Sequence, residues 1–214
     1  VKSADKREEA LKGIESAIDR LKTLISLGKT SERFSLLGSA FKRKLMVLDS
    51  KEKKEFKATL EMATREYLNG SDLKKFKDLY PINNAIQLGR VHDLISTVKK
   101  ESNFEIDFSK TMKDMESHIQ SKSTEKKDYW DLVAESNVTL SKILIAGKAT
   151  KATWEKLRDS YGEVWKKAGS SSDKMAEIEH LEVLIKALEA GSSKEAIDLT
   201  NEFKSLKNEL SNLK

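Results

Sequence analysis

The residues with the clearest capacity for chemistry are cationic. Lys42, Arg43 and Lys44 stand together, and Lys51, Lys53, Lys54 and Lys57 follow beyond a turn. A cluster of this kind can hold a phosphate or the acidic end of a peptide, and a longer basic surface can hold nucleic acid. Asn83 and Asn84 are a second candidate. Adjacent amides that open a helix after Tyr80 and Pro81 can cap its first turn, or can reach a bound peptide backbone. The large aromatics Trp130, Trp154 and Trp165 are expected in the core.

Other chemistries find little support. His92, His118 and His180 make no i, i+4 pair, so a two-histidine zinc helix is excluded. Each is expected on the surface or half-buried. There is no phosphate-binding glycine loop and no nucleophile elbow. The absence of Cys removes disulfides, thiolate metal sites and cysteine nucleophiles, and fits a reducing, cytoplasmic compartment. Acidic pairs such as Glu8 with Glu9 and Glu177 with Glu179 read as solvated partners of nearby lysines. The residues therefore point to a binding protein without enzymatic activity, cofactor or metal.

The positioning elements read as helices. Charged residues make up 35% of the 214, hydrophobic ones 38%, and there is a single Pro, a composition suited to amphipathic helices with wide polar faces. The net charge is +5, yet 35 acidic residues are mixed with 40 basic ones, of which seven are Arg. That balance favours a solvated Lys/Glu surface over a nucleic-acid surface, which stays as the alternative through the Lys42–Lys57 region. No apolar run is long enough for a membrane span.

Apolar residues at helical spacing predict about nine helices. The first covers Ala4 to Leu27, the second runs from a Thr30 or Ser31 cap to about Leu48, and the third from Lys51 to Leu68. A short helical turn is expected over Asp72 to Leu79, a helix from Ile82 to about Val98, a loop over Ser102 to Ile106, then a helix bearing Phe108, Met112, Met115 and Ile119. The polar stretch Ser121 to Lys127 precedes a helix from about Glu125, capped by Ser123 or Thr124, to Ile145. Next come a helix bearing Trp154, Leu157, Tyr161, Val164, Trp165 and Ala168, a loop over Gly169 to Ser172, and a helix from Asp173 to Ala190. The last helix follows Ser193. Residues 1–190 read as one helical-repeat domain, and residues 191–214 as a helix that caps the stack or pairs with another.

One spacing is diagnostic. Phe34, Leu37, Gly38 and Phe41 occupy the positions of W-x-x-L-G-x-x-Y, which opens a tetratricopeptide helix pair. All four fall on one helical face, and a Gly there lets a neighbouring helix approach. A weaker echo follows at Trp130, Val133, Ala134 and Asn137. The second-helix positions are Ala63 with Tyr67, and Leu157 with Tyr161; both arrive later than a repeat of about 34 residues requires. Both pairs are therefore elongated.

Thr30 to Arg43, with Leu36-Leu37-Gly38-Ser39-Ala40-Phe41 at its centre, resembles a stretch of bacterial tetratricopeptide-containing proteins. These are similar to the TRAF-binding regulatory domain of mitogen-activated kinase kinase kinases. The run Leu79 to Ala85, and Asp128 to Ala134 followed by Tyr161 and Ala168, resemble later elements of the same family. The resemblance implies an all-α, TPR-like solenoid of stacked antiparallel helix pairs. It also implies a regulatory or scaffold module that binds a protein or peptide, or an effector domain of the same parent chain. The chain, which opens on Val1, is read as a segment of a larger protein. Asn84 departs from the family pattern, which has a more apolar residue there.

Overall fold

Most of the helices have a local reason to start. Thr30, Asp78, Asp128, Thr150, Ser170 and Ser193 sit at N-caps, and each side chain accepts a hydrogen bond from a backbone N–H of the first turn. Ser170 completes a capping box with Asp173, so the expected loop over Gly169 to Ser172 is shorter than its composition suggests. The computed structural model describes residues 2–49, 52–71, 78–96, 104, 106–121 and 128–213. The expected turn over Asp72 to Leu79, the Ser102–Ile106 loop and the Ser121–Lys127 stretch fall wholly or mostly outside the described residues, and the proposed Ser123 or Thr124 cap lies entirely outside them.

Among the described residues there are nine α-helices and no strand. They are α1 (Lys2–Leu27), α2 (Ser31–Val47), α3 (Lys53–Gly70), α4 (Leu79–Ile95), α5 (Phe108–Ser121), α6 (Tyr129–Ala146), α7 (Lys151–Lys167), α8 (Ser171–Glu189) and α9 (Lys194–Ser211). The architecture is an all-α, TPR-like solenoid. Each of α1 to α3 packs on its successor in the chain, and further along α5 packs on α6, α6 on α7 and α8 on α9. α8 returns to touch both α2 and α4, and α9 lies on α7, α8 and α4.

α4 is the axis of the molecule. It contacts α3, α6, α8 and α9, and 14 of its 17 residues are buried. A helix enclosed on most sides must be apolar nearly all round or must pair its polar groups internally. α4 combines the two: Ile82, Ala85, Ile86, Leu88 and Val91 are buried, and so are Asn83, Asn84 and Gln87, whose amides are hydrogen-bonded to α2, α6, α8 or the α4 backbone.

The diagnostic spacing closes α2 on α3. Leu37 and Phe41 are buried, Phe34 is half-buried, and Gly38 faces the buried Tyr67 of α3. A Cβ on Gly38 would stand 2.8 to 2.9 Å from three carbons of the Tyr67 ring, closer than atoms pack. The Tyr67 hydroxyl shares hydrogen bonds with Ser39 (2.8 Å) and Tyr80 (3.2 Å), which joins α3 to α2 and α4.

α6 ends on Gly147, which has φ 70° and whose N–H reaches the Ile143 and Leu144 carbonyls. This left-handed cap suits glycine. The Glu195 carboxylate, which accepts from Arg90, occupies the space a Cβ would need. Gly147→Ala is expected to cost about 1–2 kcal/mol, read as a lower denaturant midpoint at unchanged slope.

Candidate functional site: a polar cavity between four helices

The helix that returns to the stack does not fill it. α2, α4, α6 and α8 enclose a cavity of about 600 Å³. α2 contributes Lys42, α4 contributes Tyr80, Asn83, Asn84 and Gln87, α6 contributes Trp130, Ala134 and Asn137, and α8 contributes Ala176, Glu177 and His180. The capping residues Asp78 and Asp128 stand at its mouth, with Asp131 in the first turn of α6.

A hydrogen-bonded chain crosses the cavity wall. Lys42 Nζ donates to Asn84 Oδ1 at 2.8 Å and reaches His180 Nδ1 at 3.1 Å. An ammonium has only protons to give, so Nδ1 accepts and His180 carries its proton on Nε2, 2.5 Å from Gln87 Oε1. Gln87 Nε2 in turn donates to the Asn137 carbonyl and to Ser141 Oγ, each at 3.0 Å. The Tyr161 hydroxyl donates to Asn137 Oδ1 at 2.6 Å. Burial holds the imidazole well below the usual histidine range, and the nearby Lys42 charge adds to this. Burial also lowers Lys42, against the raising influence of Tyr80 and Glu177. Its ammonium lies 5.6 and 5.8 Å from the ring centres of Tyr67 and Tyr80.

Glu177 is the least satisfied group of the site. It is 6% exposed, and its hydrogen bond is a long one from Asn137 Nδ2, 3.5 Å from Oε1. Burial pushes the carboxyl up to about 7, although the Asn137 hydrogen bond and the Lys42 charge pull it down. Trp130 is the complementary surface at the mouth. It is 44% exposed and makes edge contacts with Tyr80 (6.1 Å) and Tyr129 (5.0 Å).

The structure sorts the expected site residues. Lys42, Asn83 and Asn84 come together in one cavity, while Arg43 is exposed and does not line it. Asn83 and Asn84 are not caps. Asp78 caps α4, Pro81 is its third residue, and the two amides lie one turn further in. Trp130 is not a core residue, although its neighbours in the echo motif, Val133 and Ala134, are buried. Trp154, Trp165 and Tyr161 are buried. Lys42 and Lys44 are not a solvated basic tip. Lys42 is drawn into the wall, and Lys44 pairs with Glu15 of α1 (2.8 Å) and Glu55 of α3 (3.1 Å). Lys51 lies outside the described residues.

Sequence reasoning missed Gln87, Asn137, Glu177 and His180. The expectation that histidines lie at the surface or half-buried fails for His92 and His180, at 4% and 8% exposure. The expectation that Glu177 is a solvated partner fails because α8 turns it inward between α4 and α6. The available signal was Asn83, Asn84 and Gln87 on an otherwise apolar helix, where buried amides require partners from facing elements.

Among the described residues no group of three His, Asp or Glu side chains is placed to hold a metal, and no helix is long and apolar enough to cross a membrane. Comparison with curated proteins gives no match, and comparison with solved structures gives none either. A family model described as Tetratricopeptide Repeats-Sensor matches residues 2–89, from α1 into α4. That segment contains the Gly38–Tyr67 contact and two of the four cavity walls, and the match supports reading the chain as tetratricopeptide-containing.

Proposed function

We propose that this chain is a non-enzymatic protein-interaction module, regulatory or scaffolding in role, that receives an extended segment of a partner protein in the cavity between α2, α4, α6 and α8. The observation that carries this reading is the cavity itself. It places exposed aromatic surface and several amides on the inner side of a helical stack, where solenoid proteins present their binding face. Binding requires shape, aromatic area and a few placed polar groups, all of which are present. Both ring nitrogens of His180 are engaged within the wall, by Lys42 and Gln87, which favours binding over acid–base catalysis. The nucleic-acid alternative is disfavoured, since two of its central lysines are already engaged with Asn84, His180, Glu15 and Glu55.

The test is selection of random peptides displayed on phage against the folded chain. Enriched peptides are expected to lose binding by about tenfold or more when Ala176, exposed at the cavity mouth, is changed to Trp. Failure to enrich any sequence, or enriched peptides indifferent to both Ala176→Trp and Trp130→Ala, would refute it.

A further inference from the structure

The charges of the cavity are unbalanced. Lys42 is the one lysine or arginine among its described lining residues, and its ammonium is already engaged with Asn84 and His180 and with the faces of two tyrosines. Against it stand Asp78, Asp128 and Glu177. Asp78 and Asp128 each give Oδ1 to a backbone N–H of the helix they cap, at 2.9 Å. Glu177 has no ion-pair partner among the described residues, and its single hydrogen bond is the 3.5 Å contact from Asn137. A carboxylate at 6% exposure with so little compensation is costly to keep charged, and an incoming cation would remove that cost.

We infer that the cavity takes an arginine side chain presented on an extended segment of the partner, with its guanidinium drawn between the Glu177 carboxylate and the exposed ring of Trp130. This rests on the interaction-module reading above and adds the chemistry of the partner. Arginine fits better than lysine for three reasons. Its planar fork matches a carboxylate through two parallel hydrogen bonds. It stacks on indole, and Trp130 is held in place by two tyrosine edges while 44% exposed. Its guanidinium is more weakly hydrated than an ammonium, so it enters a confined space at lower cost. The acidic mouth raises the local concentration of a cationic segment before contact. Asn83, at 4% exposure, offers an amide donor in the same wall for a backbone carbonyl of that segment.

The experiment titrates the whole chain with three probes: Nα-acetyl-arginine N-methylamide, its neutral citrulline isostere, and the corresponding glutamate derivative. Tryptophan fluorescence and amide chemical shifts report binding, since Trp154 and Trp165 are buried and Trp130 is exposed. Saturable binding of the arginine probe is expected, about tenfold tighter than the citrulline probe. Glu177→Gln and Trp130→Ala should each remove most of that preference, with thermal unfolding confirming that both variants fold. The inference is overturned if arginine and citrulline bind alike, if the glutamate probe binds best, or if no probe saturates. Peptides selected by phage that depend on the cavity but lack a basic residue would overturn it too, while leaving the interaction-module reading standing.

Discussion

Gly38→Ala is expected to lower the stability of the chain by about 2–3 kcal/mol, a large effect for one methyl group. The methyl would lie 2.8 Å from the Tyr67 ring, and that ring has nowhere to go. It is fully buried, its hydroxyl is bonded to Ser39 and Tyr80, and its edge meets the Tyr80 ring at 5.8 Å. The backbone of α2 must therefore withdraw from α3, loosening contacts of Leu37 and Phe41 as well. A double-mutant cycle separates this clash from helix propensity. Alanine is the better helix former, so an exposed site would gain about 1 kcal/mol from the same change. In a Tyr67→Leu background, which is itself destabilised by the smaller side chain and the lost hydroxyl, the cost of Gly38→Ala should fall to nearly zero. Equal costs in both backgrounds, measured by urea denaturation, would show that Tyr67 is not what requires glycine at position 38.

That contact also shows what the sequence made legible. The spacing Phe34, Leu37, Gly38 and Phe41 identifies a face, and a glycine on a face predicts a close neighbour before any neighbour is known. Some helix ends were legible for the same local reason: Thr30 and Ser193 act on residues within a turn of themselves, whereas Asp78 and Asp128, which cap α4 and α6, were not read as caps. The cavity was not legible, because no short spacing encodes it. Lys42 meets Asn84 across 42 positions and His180 across 138. Their meeting depends on α8 folding back onto α2 and α4, which is a tertiary outcome. The same cause explains the misread side chains. Glu177 and Lys42 have the sequence surroundings of solvated helix residues, and only the returning helix makes them interior. Trp130 is the reverse case, an aromatic at a core-like spacing left open because the cavity lies beside it.

Glu177→Gln is expected to make the chain more stable at alkaline pH by about 3 kcal/mol and to change little near pH 4. The carboxyl is pushed by burial from 4.5 up to about 7 in the folded chain. Between those values the unfolded chain gives up its proton while the folded chain keeps it, so the folded state binds more protons and stability falls as pH rises. Below about 4.5 both states are protonated and the group contributes nothing. Above about 7 the folded chain carries a buried carboxylate, and the full difference, about 3 kcal/mol for a rise of this size, is lost. The groups that oppose this burial cost are the Asn137 amide and the Lys42 charge, while Asp173 adds to it. Glutamine has nearly the same shape, can still accept from Asn137, and has no charge to desolvate. For a chain of this length the gain corresponds to a rise of several degrees in Tm, about 6–12 °C, at pH 8. Thermal unfolding of both proteins from pH 4 to pH 9 measures the difference directly. Parallel curves across that range would mean that Glu177 ionises in the folded chain as it does in water. Convergence at pH 4 with separation above pH 7 is the expected pattern, and the arginine probe should narrow the separation by stabilising only the chain that retains the carboxylate.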